Sequence, residues 1–269
     1  MRTRSFVVQE RLRFLAMFKP FVLIPSYNTG PILEATVKDV LAKTIWPVCV
    51  VIDGSTDGSE KPVVALAADE SRLEVIRKCK NEGKGAAVRT GIAKYRACGF
   101  SHALVMDADG QHPTDEINRF IDSASRHPDA MILGQPVFDA DVPWERLYGR
   151  KLSVWMVFVE VGGSAIGDPL FGFRVYPLRP LLSVMSKPGR SNRYDFDPEV
   201  AVRLNWMGVR ALKLEAPVKY ISRESGGVSQ FHYFRDNFRF VCLHARLILQ
   251  APFRWMAKRS AQKDSAENV

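Results

Sequence analysis

Cysteine is scarce and unpatterned: Cys49, Cys79, Cys98 and Cys242 are scattered with no CxxC spacing. This argues against a disulfide framework and a zinc site, and fits a reducing compartment. Long apolar runs are missing too. The best candidate, LSVWMVFVEVGGSAIG, is broken by Glu160 and a glycine pair, short of the roughly 18–20 residues of a spanning helix. The basic N-terminus has no apolar core before a small-residue cleavage site, so no signal peptide is expected. There is no repeat period and no low-complexity tract. Acid is also in deficit, leaving a net charge of +9. Such a surface attracts phosphorylated ligands, anionic lipid or nucleic acid, or serves solubility alone. What remains is an ordinary globular composition, 46% hydrophobic and 25% charged over 269 residues, enough for one large domain with appendages.

The first half alternates strand and helix signals. FVLIP, VCVVID, LEVIR, HALVMD and AMILG are short apolar runs. Helical stretches are expected over 32–43, 60–69, from NEGKG to Cys98, and 114–126, with Thr114 as a cap. Strands apolar on both faces, alternating with helices, indicate a mostly parallel α/β sheet covered by helices. In such folds ligands sit beyond the carboxyl ends of the strands. The chemistry-rich segments PSYN, DGSTDGS, NEGKG and DADGQH all fall there. Further on, RVYPL and ALKLEAPVKYI read as strands and PEVAVRLNWMG as a helix closed by Gly208. From Tyr233 to Lys258 a helix carries Phe238, Val241, Cys242, Ala245, Ile248 and Leu249 on one face, with Arg239, Arg246, Arg254, Lys258 and Arg259 as cations. The expected organisation is a basic segment over 1–20, a main α/β domain over 21–232, a basic amphipathic helix over 233–259 and a disordered tail over 260–269.

HALVMDADGQHP poses the chemical question. Asp107 and Asp109 are two apart, so they share a side of an extended chain. Two adjacent carboxylates repel unless a cation lies beside them. Oxygen ligands suit Mg²⁺ or Mn²⁺; Gln111 offers a further oxygen and His112 a nitrogen. The plainer reading is a polar turn that caps the next helix. A cation at a strand end in an α/β sheet would serve a diphosphate and offset charge as it departs.

IPSYN, VIDGSTDGS, NEGKGAAVRTG, VMDADGQHP and GDPLFGFRVY, in that order, resemble family-two glycosyltransferases of the GT-A fold, and among them the dolichyl-phosphate mannosyltransferase-like enzymes. The resemblance runs from about Phe21 to Arg235. It implies that Pro25, Tyr27, Val51 and Asp53 hold the nucleoside, with Asp53 accepting from the base. Lys84 matches a basic position near the nucleotide, which could equally be solvated charge. Asp107, Ala108 and Asp109 match the sugar-nucleotide and metal motif, with Asp109 and Gln111 as direct ligands. Arg223 matches a basic position closing over the diphosphate. Three positions depart from the pattern: Thr29 replaces a Glu, Ile52 replaces the first acid of DDGS, and LGQP at 133–136 stands where the mannosyltransferases read Gly-Ser-Arg. The missing arginine leaves UDP- and GDP-sugars both open.

Inverting transfer to a hydroxyl needs a base, whereas a phosphate acceptor is already ionised. YDFDPEV supplies Asp197 as the favoured base and Glu199 as the second, although Asp197 also suits a helix cap. His232 and Arg235 follow a glycine pair and could reach the diphosphate. The basic C-terminal helix, with Phe6, Phe14 and Phe18 among N-terminal cations, suits peripheral contact with an anionic membrane; packing on the domain is the competing reading. The expectation is a metal-dependent inverting glycosyltransferase, cytoplasmic or on the cytoplasmic membrane face, with a nucleoside-diphosphate sugar as donor and an acceptor that is lipid-linked or soluble. A sugar nucleotidyltransferase is the alternative enzyme, but PSYNTGP lacks its Gly-rich basic loop. A basic nucleic-acid-binding protein is the non-enzymatic alternative, with no recognisable module to support it.

Overall fold

The computed structural model describes residues 18–138, 144–186, 192–218 and 233–267. The first half follows the apolar rhythm closely: β1 (Pro20–Ser26), α1 (Ile32–Lys43), β2 (Val48–Asp53), α2 (Glu60–Asp69), β3 (Leu73–Lys78), α3 (Lys84–Ala97) and β4 (His102–Val105). A 3₁₀ turn at Thr114–Glu116 leads into α4 (Ile117–Arg126), then β5 (Met131–Phe138). Thr114 makes no cap; its hydroxyl donates to Asp39 on α1 instead. The second half contains α5 (Trp144–Val161), β6 (Arg174–Pro177), α6 (Leu178–Met185), α7 (Phe196–Trp206), β7 (Ala211–Val218) and α8 (Tyr233–Glu267).

The strands form one sheet in the order β3-β2-β1-β4-β6-β5-β7. β1 pairs in parallel with both β2 and β4, and β5 with β7. β6 alone runs against its neighbours β4 and β5. Every residue of β1, β2 and β4 is buried, as expected for strands covered on both faces. Strand alternation splits the core into two layers. Phe21, Leu23, Val51 and Val105 meet Ala87, Val88 and Ile92 of α3 on one face. Val22, Ile24, Ile52 and Leu104 meet α1 and α4 on the other. α3 approaches so closely that a Cβ on Gly91 would lie 2.5 Å from Leu23 Cδ1.

Two helices were not anticipated. α5 takes in the first part of the apolar run weighed as a membrane span, Leu152 to Val161, and α6 begins one residue after β6 ends. The C-terminal helix also differs from expectation. It continues through Glu267, into the segment expected to be disordered. Its buried row is Leu243, Leu247 and Ala251, whereas Phe238, Val241 and Leu249 of the predicted face are exposed. The helix is apolar on two sides, so periodicity picked the outer one. Its inner side packs on α5 and α7 around Glu160 and His244, 2.6 Å apart and both fully buried. Trp206 of α7 and Trp255 of α8 both donate to the Glu160 carbonyl.

Candidate active site

β1 is flanked by β2 on one side and β4 on the other, so the chain turns opposite ways from its carboxyl end. That crevice is where an open α/β sheet binds ligands. A cavity of about 450 Å³ lies there. Its wall brings together Pro25, Tyr27, Asp53, Lys84, Asp107, Ala108, Asp109 and Gln111.

The loops after β1 and β2 are stitched to each other. The Asn28 N–H donates to Ser55 Oγ, the Thr56 N–H to Asn28 Oδ1, and the Gly30 N–H to Asp57 Oδ2. Asn28 takes a left-handed φ of 47° to do so, a conformation Asn tolerates better than most residues. Asp53, at the end of β2, accepts from Lys78 Nζ at 2.7 Å and from the N–H groups of Glu82 and Gly83. Its carboxylate thus anchors the turn that opens α3, as well as facing the cavity.

A single cation organises the carboxylates. Lys84 Nζ, at the start of α3, lies 2.5 Å from Asp107 Oδ1 and 2.6 Å from Asp197 Oδ2. Burial works against the ammonium, but the two carboxylates hold its pKa above the ordinary range. Burial would likewise raise the Asp107 pKa; Lys84, then His112, keep it low. His112 lies against Asp107, with its Nε2 3.5 Å from Asp107 Oδ2. Its Nδ1 accepts from the Asp107 N–H at 2.9 Å, and its ring stacks edge-on against Phe171 and Phe173. Burial lowers its pKa, against the pull of Asp107 and Asp109. The imidazole therefore positions Asp107. Gly172 closes the arrangement: a Cβ there would lie 2.6 Å from Lys84 Nζ and 3.0 Å from Asp107 Oδ2.

Asp109 is different. It accepts the Gln111 N–H at 3.1 Å and makes no ion pair among the described residues. Burial and the Asp107 charge raise its pKa, the electrostatic mark of negative charge without a counter-ion. That donor set fits Mg²⁺ or Mn²⁺, which take one or two carboxylates and complete their shell with phosphate oxygens and water. No group of three or more His, Cys, Asp or Glu side chains arranged for a metal exists among the described residues.

Several expected residues lie elsewhere. Val51 is fully buried in the core beneath α3 and is absent from the cavity wall, because strand alternation points it at the helix. Asp197 is 4% exposed and sits behind Lys84, outside the wall, with Oδ1 lacking a partner among the described residues. Glu199 is turned to the protein body, 2.6 Å from Arg203 and 3.0 Å from Arg246, and is absent from the cavity wall. Arg223 and His232 lie outside the described residues. Arg235, in the first turn of α8, does line the cavity.

The departures from the motif have local explanations. Ile52 faces the core, where an acid would be buried. Thr29 exchanges a 2.6 Å hydrogen bond with Ser26. Gln135 accepts from the Asp168 N–H and donates to the Ile166 carbonyl, holding the turn before β6. Sequence reasoning missed Arg193 and Tyr194, which line the cavity from the turn before α7. It also missed Arg174, fully buried, whose guanidinium donates to the carbonyls of Pro169, Phe171 and Asp197. The arginine in GFRVY was the available signal, but an apolar context does not reveal which carbonyls need a donor.

The sequence matches glycosyl transferase family 2 over residues 21–176. It is 28% identical over 218 residues to the polyprenol monophosphomannose synthase of Mycolicibacterium smegmatis, covering 77% of this chain and 79% of that protein. It is 24% identical to the UDP-N-acetylglucosamine–dolichyl-phosphate N-acetylglucosaminyltransferase of Methanococcus voltae, covering 76% of this chain and 86% of that one. Among solved structures it resembles glucosyl-3-phosphoglycerate synthase of Mycobacterium tuberculosis, captured with Mn²⁺, UDP and phosphoglyceric acid, with a TM-score of 0.63 at 13% identity over 92% of this chain and 82% of that one. The fold is therefore GT-A, and with its motifs at the rim of the sheet the chain belongs to glycosyltransferase family 2.

Proposed function

We propose that the protein transfers a sugar from a nucleoside-diphosphate sugar to a polyprenyl or dolichyl phosphate, with Mn²⁺ or Mg²⁺ at Asp107 and Asp109. The observation that carries this reading is that Lys84, Asp107 and Asp109 share one cavity wall, with Asp107 held by the Lys84 ammonium and Asp109 making no ion pair among the described residues. Pro25, Tyr27 and Asp53 line the nucleoside end. The metal, when bound by Asp107, Asp109 and Gln111, would neutralise the departing diphosphate. Lys84 holds Asp107 oriented, and Arg235 adds positive charge at the cavity mouth; Arg223 is proposed to close over the same diphosphate.

The acceptor is inferred from two supports. The relatives named above act on polyprenol or dolichyl phosphate. In addition, the carboxylate expected to be a base, Asp197, is engaged by Lys84 and buried away from the wall. A phosphate monoester attacks as an anion and needs no base. Asp197 then serves to position Lys84. Its unpartnered Oδ1 keeps a hydroxyl acceptor as the second reading, in which Asp197 takes the proton.

The test is transfer of labelled sugar from UDP- and GDP-sugars to a polyprenyl phosphate, followed by extraction into an organic phase. Activity should require Mn²⁺ or Mg²⁺ and fall by roughly 100-fold or more in Asp109→Asn, as for loss of a charge-stabilising group. Metal-independent transfer by that variant would discard the site. Transfer to soluble hydroxyl acceptors only would move the assignment to the second reading.

A further inference from the structure

We infer that Asn81 reads the base of the bound nucleotide, its Oδ1 accepting the ring N–H that lies beside a carbonyl in both uracil and guanine. The inference rests on the donor class proposed above and names the residue that recognises it. Asp53, at the end of β2, is the expected partner for that N–H, but its carboxylate has no lone pair to spare. Oδ1 accepts from Lys78 Nζ at 2.7 Å and from the Glu82 N–H at 3.2 Å. Oδ2 accepts from the Glu82 N–H at 3.1 Å and from the Gly83 N–H at 2.6 Å. A carboxylate offers about four acceptor sites, and Asp53 is 2% exposed. Its charge serves the turn that follows β3.

That turn delivers a different acceptor. Asn81 lines the cavity, and its Oδ1 is buried without a hydrogen-bond partner among the described residues. Buried polar atoms are nearly all paired, because an unpaired one forfeits its hydration for nothing. On a cavity wall, such an acceptor marks where a ligand's donor belongs. The root of the side chain is held in place. Gly54 takes a left-handed φ of 70°, and a Cβ there would lie 2.6 Å from the Asn81 nitrogen. The next two N–H groups are tied to Asp53. An amide fixed in this way needs little ordering when the base arrives. Strand order supplies the distance. The rim runs β3-β2-β1-β4; Asn81 follows β3, whereas Asp107 and Asp109 follow β4. Neighbouring strands are about 4.8 Å apart, so two to three spacings, roughly 10–14 Å, separate Asn81 from the acidic pair. In a nucleoside diphosphate the base is the part most remote from the terminal phosphate. Phosphates beside Asp107 and Asp109 therefore send the base towards Asn81, with the ribose between them.

The test is calorimetric titration of the full chain, with Mn²⁺, against UDP and GDP and against their ring-methylated forms, N3-methyl-UDP and N1-methyl-GDP, which lack that N–H. The parent should bind UDP or GDP at least about tenfold more tightly than the matching methylated form, as for loss of a base-reading hydrogen bond. Whichever pair shows the gap identifies the base. In Asn81→Ala the gap should close to within about twofold, because only the unmethylated nucleotide loses a partner. An asparagine with a merely structural role would weaken both forms alike and leave the gap. Should Asn81→Ala not fold, Asn81→Ser gives the same reading, since its shorter side chain withdraws the acceptor from the cavity. Asn81→Asp keeps an acceptor oxygen and should keep the gap. A gap that persists without the Asn81 amide, or that closes in Asp53→Asn instead, overturns the inference. A parent that binds UDP or GDP with no gap also overturns it and leaves the proposed function standing, whereas a parent that binds neither nucleotide removes both.

Discussion

Lys84 and Asp197 lie 2.6 Å apart although 113 residues separate them in the chain. The pair ties the start of α3 to the start of α7, and the same ammonium holds Asp107. Lys84→Met should strand two carboxylates and destabilise the protein by about 3–5 kcal/mol, the usual cost of breaking a buried pair. Adding Asp197→Leu should recover part of that stability without recovering transfer, because Asp107 stays unoriented. Denaturant unfolding and a transfer assay on the single and double variants check both halves.

Gly172 carries the second expectation. A methyl group there would press on Lys84 Nζ and Asp107 Oδ2. Gly172→Ala should therefore lower kcat by about tenfold or more, since small displacements of positioned groups are costly. The melting temperature should shift little, because the lysine end can move. Steady-state kinetics against thermal unfolding separate the two effects.

Glu199 was the second candidate base, and its partners say otherwise. Glu199→Gln removes the charge paired with Arg203 and Arg246. The expected outcome is a stability loss of about 3 kcal/mol with the transfer rate per folded molecule unchanged. An active-site titration with a nucleotide, set beside the rate, checks this; a rate loss with intact stability would restore the base.

The pH dependence of stability should trace to Glu160. Burial raises its pKa, against the pull of His244. A carboxyl with a raised folded pKa contributes its full stability below the unfolded value, ordinarily 4.5, and loses it as pH rises through the folded value. Glu160→Gln stays neutral. Relative to the parent, its melting temperature should therefore climb as pH rises from below 4.5 towards neutrality. A pH-independent difference would mean that ionisation of Glu160 is not coupled to folding.

The first half of the fold was legible because each strand is a short apolar run and each rim segment carries turn chemistry. Even bounds such as Ile32–Lys43 follow from the pattern. The second half was less so. α5 ends within an apolar run that supplies both its buried Val157 and its exposed Leu152, Trp155 and Phe158, and the inner row of α8 lost to its outer row for the same reason. Most of the cavity wall could be named from motifs, since Asp53, Lys84 and the Asp107–Gln111 segment all follow strands. Val51 could not be separated from its neighbours, because which way a fully buried strand residue points depends on the layer above it. Asp197 looked available because sequence shows a carboxylate but not the ammonium it meets. Arg193 and Tyr194 sit in a turn whose path to the rim depends on where α7 packs.

The reversed strand has one more consequence. Because β6 runs against β4, the chain arrives at the rim from outside, delivers Gly172 beside Asp107, and only then descends into the sheet. The sheet is completed only by this return, because β6 seats between β4 and β5, and the segments that follow add Arg193, Tyr194 and Arg235 to the cavity and Asp197 to Lys84. A late stretch of chain thus clamps an early one, and the rim cannot be assembled before the second half has folded onto the first.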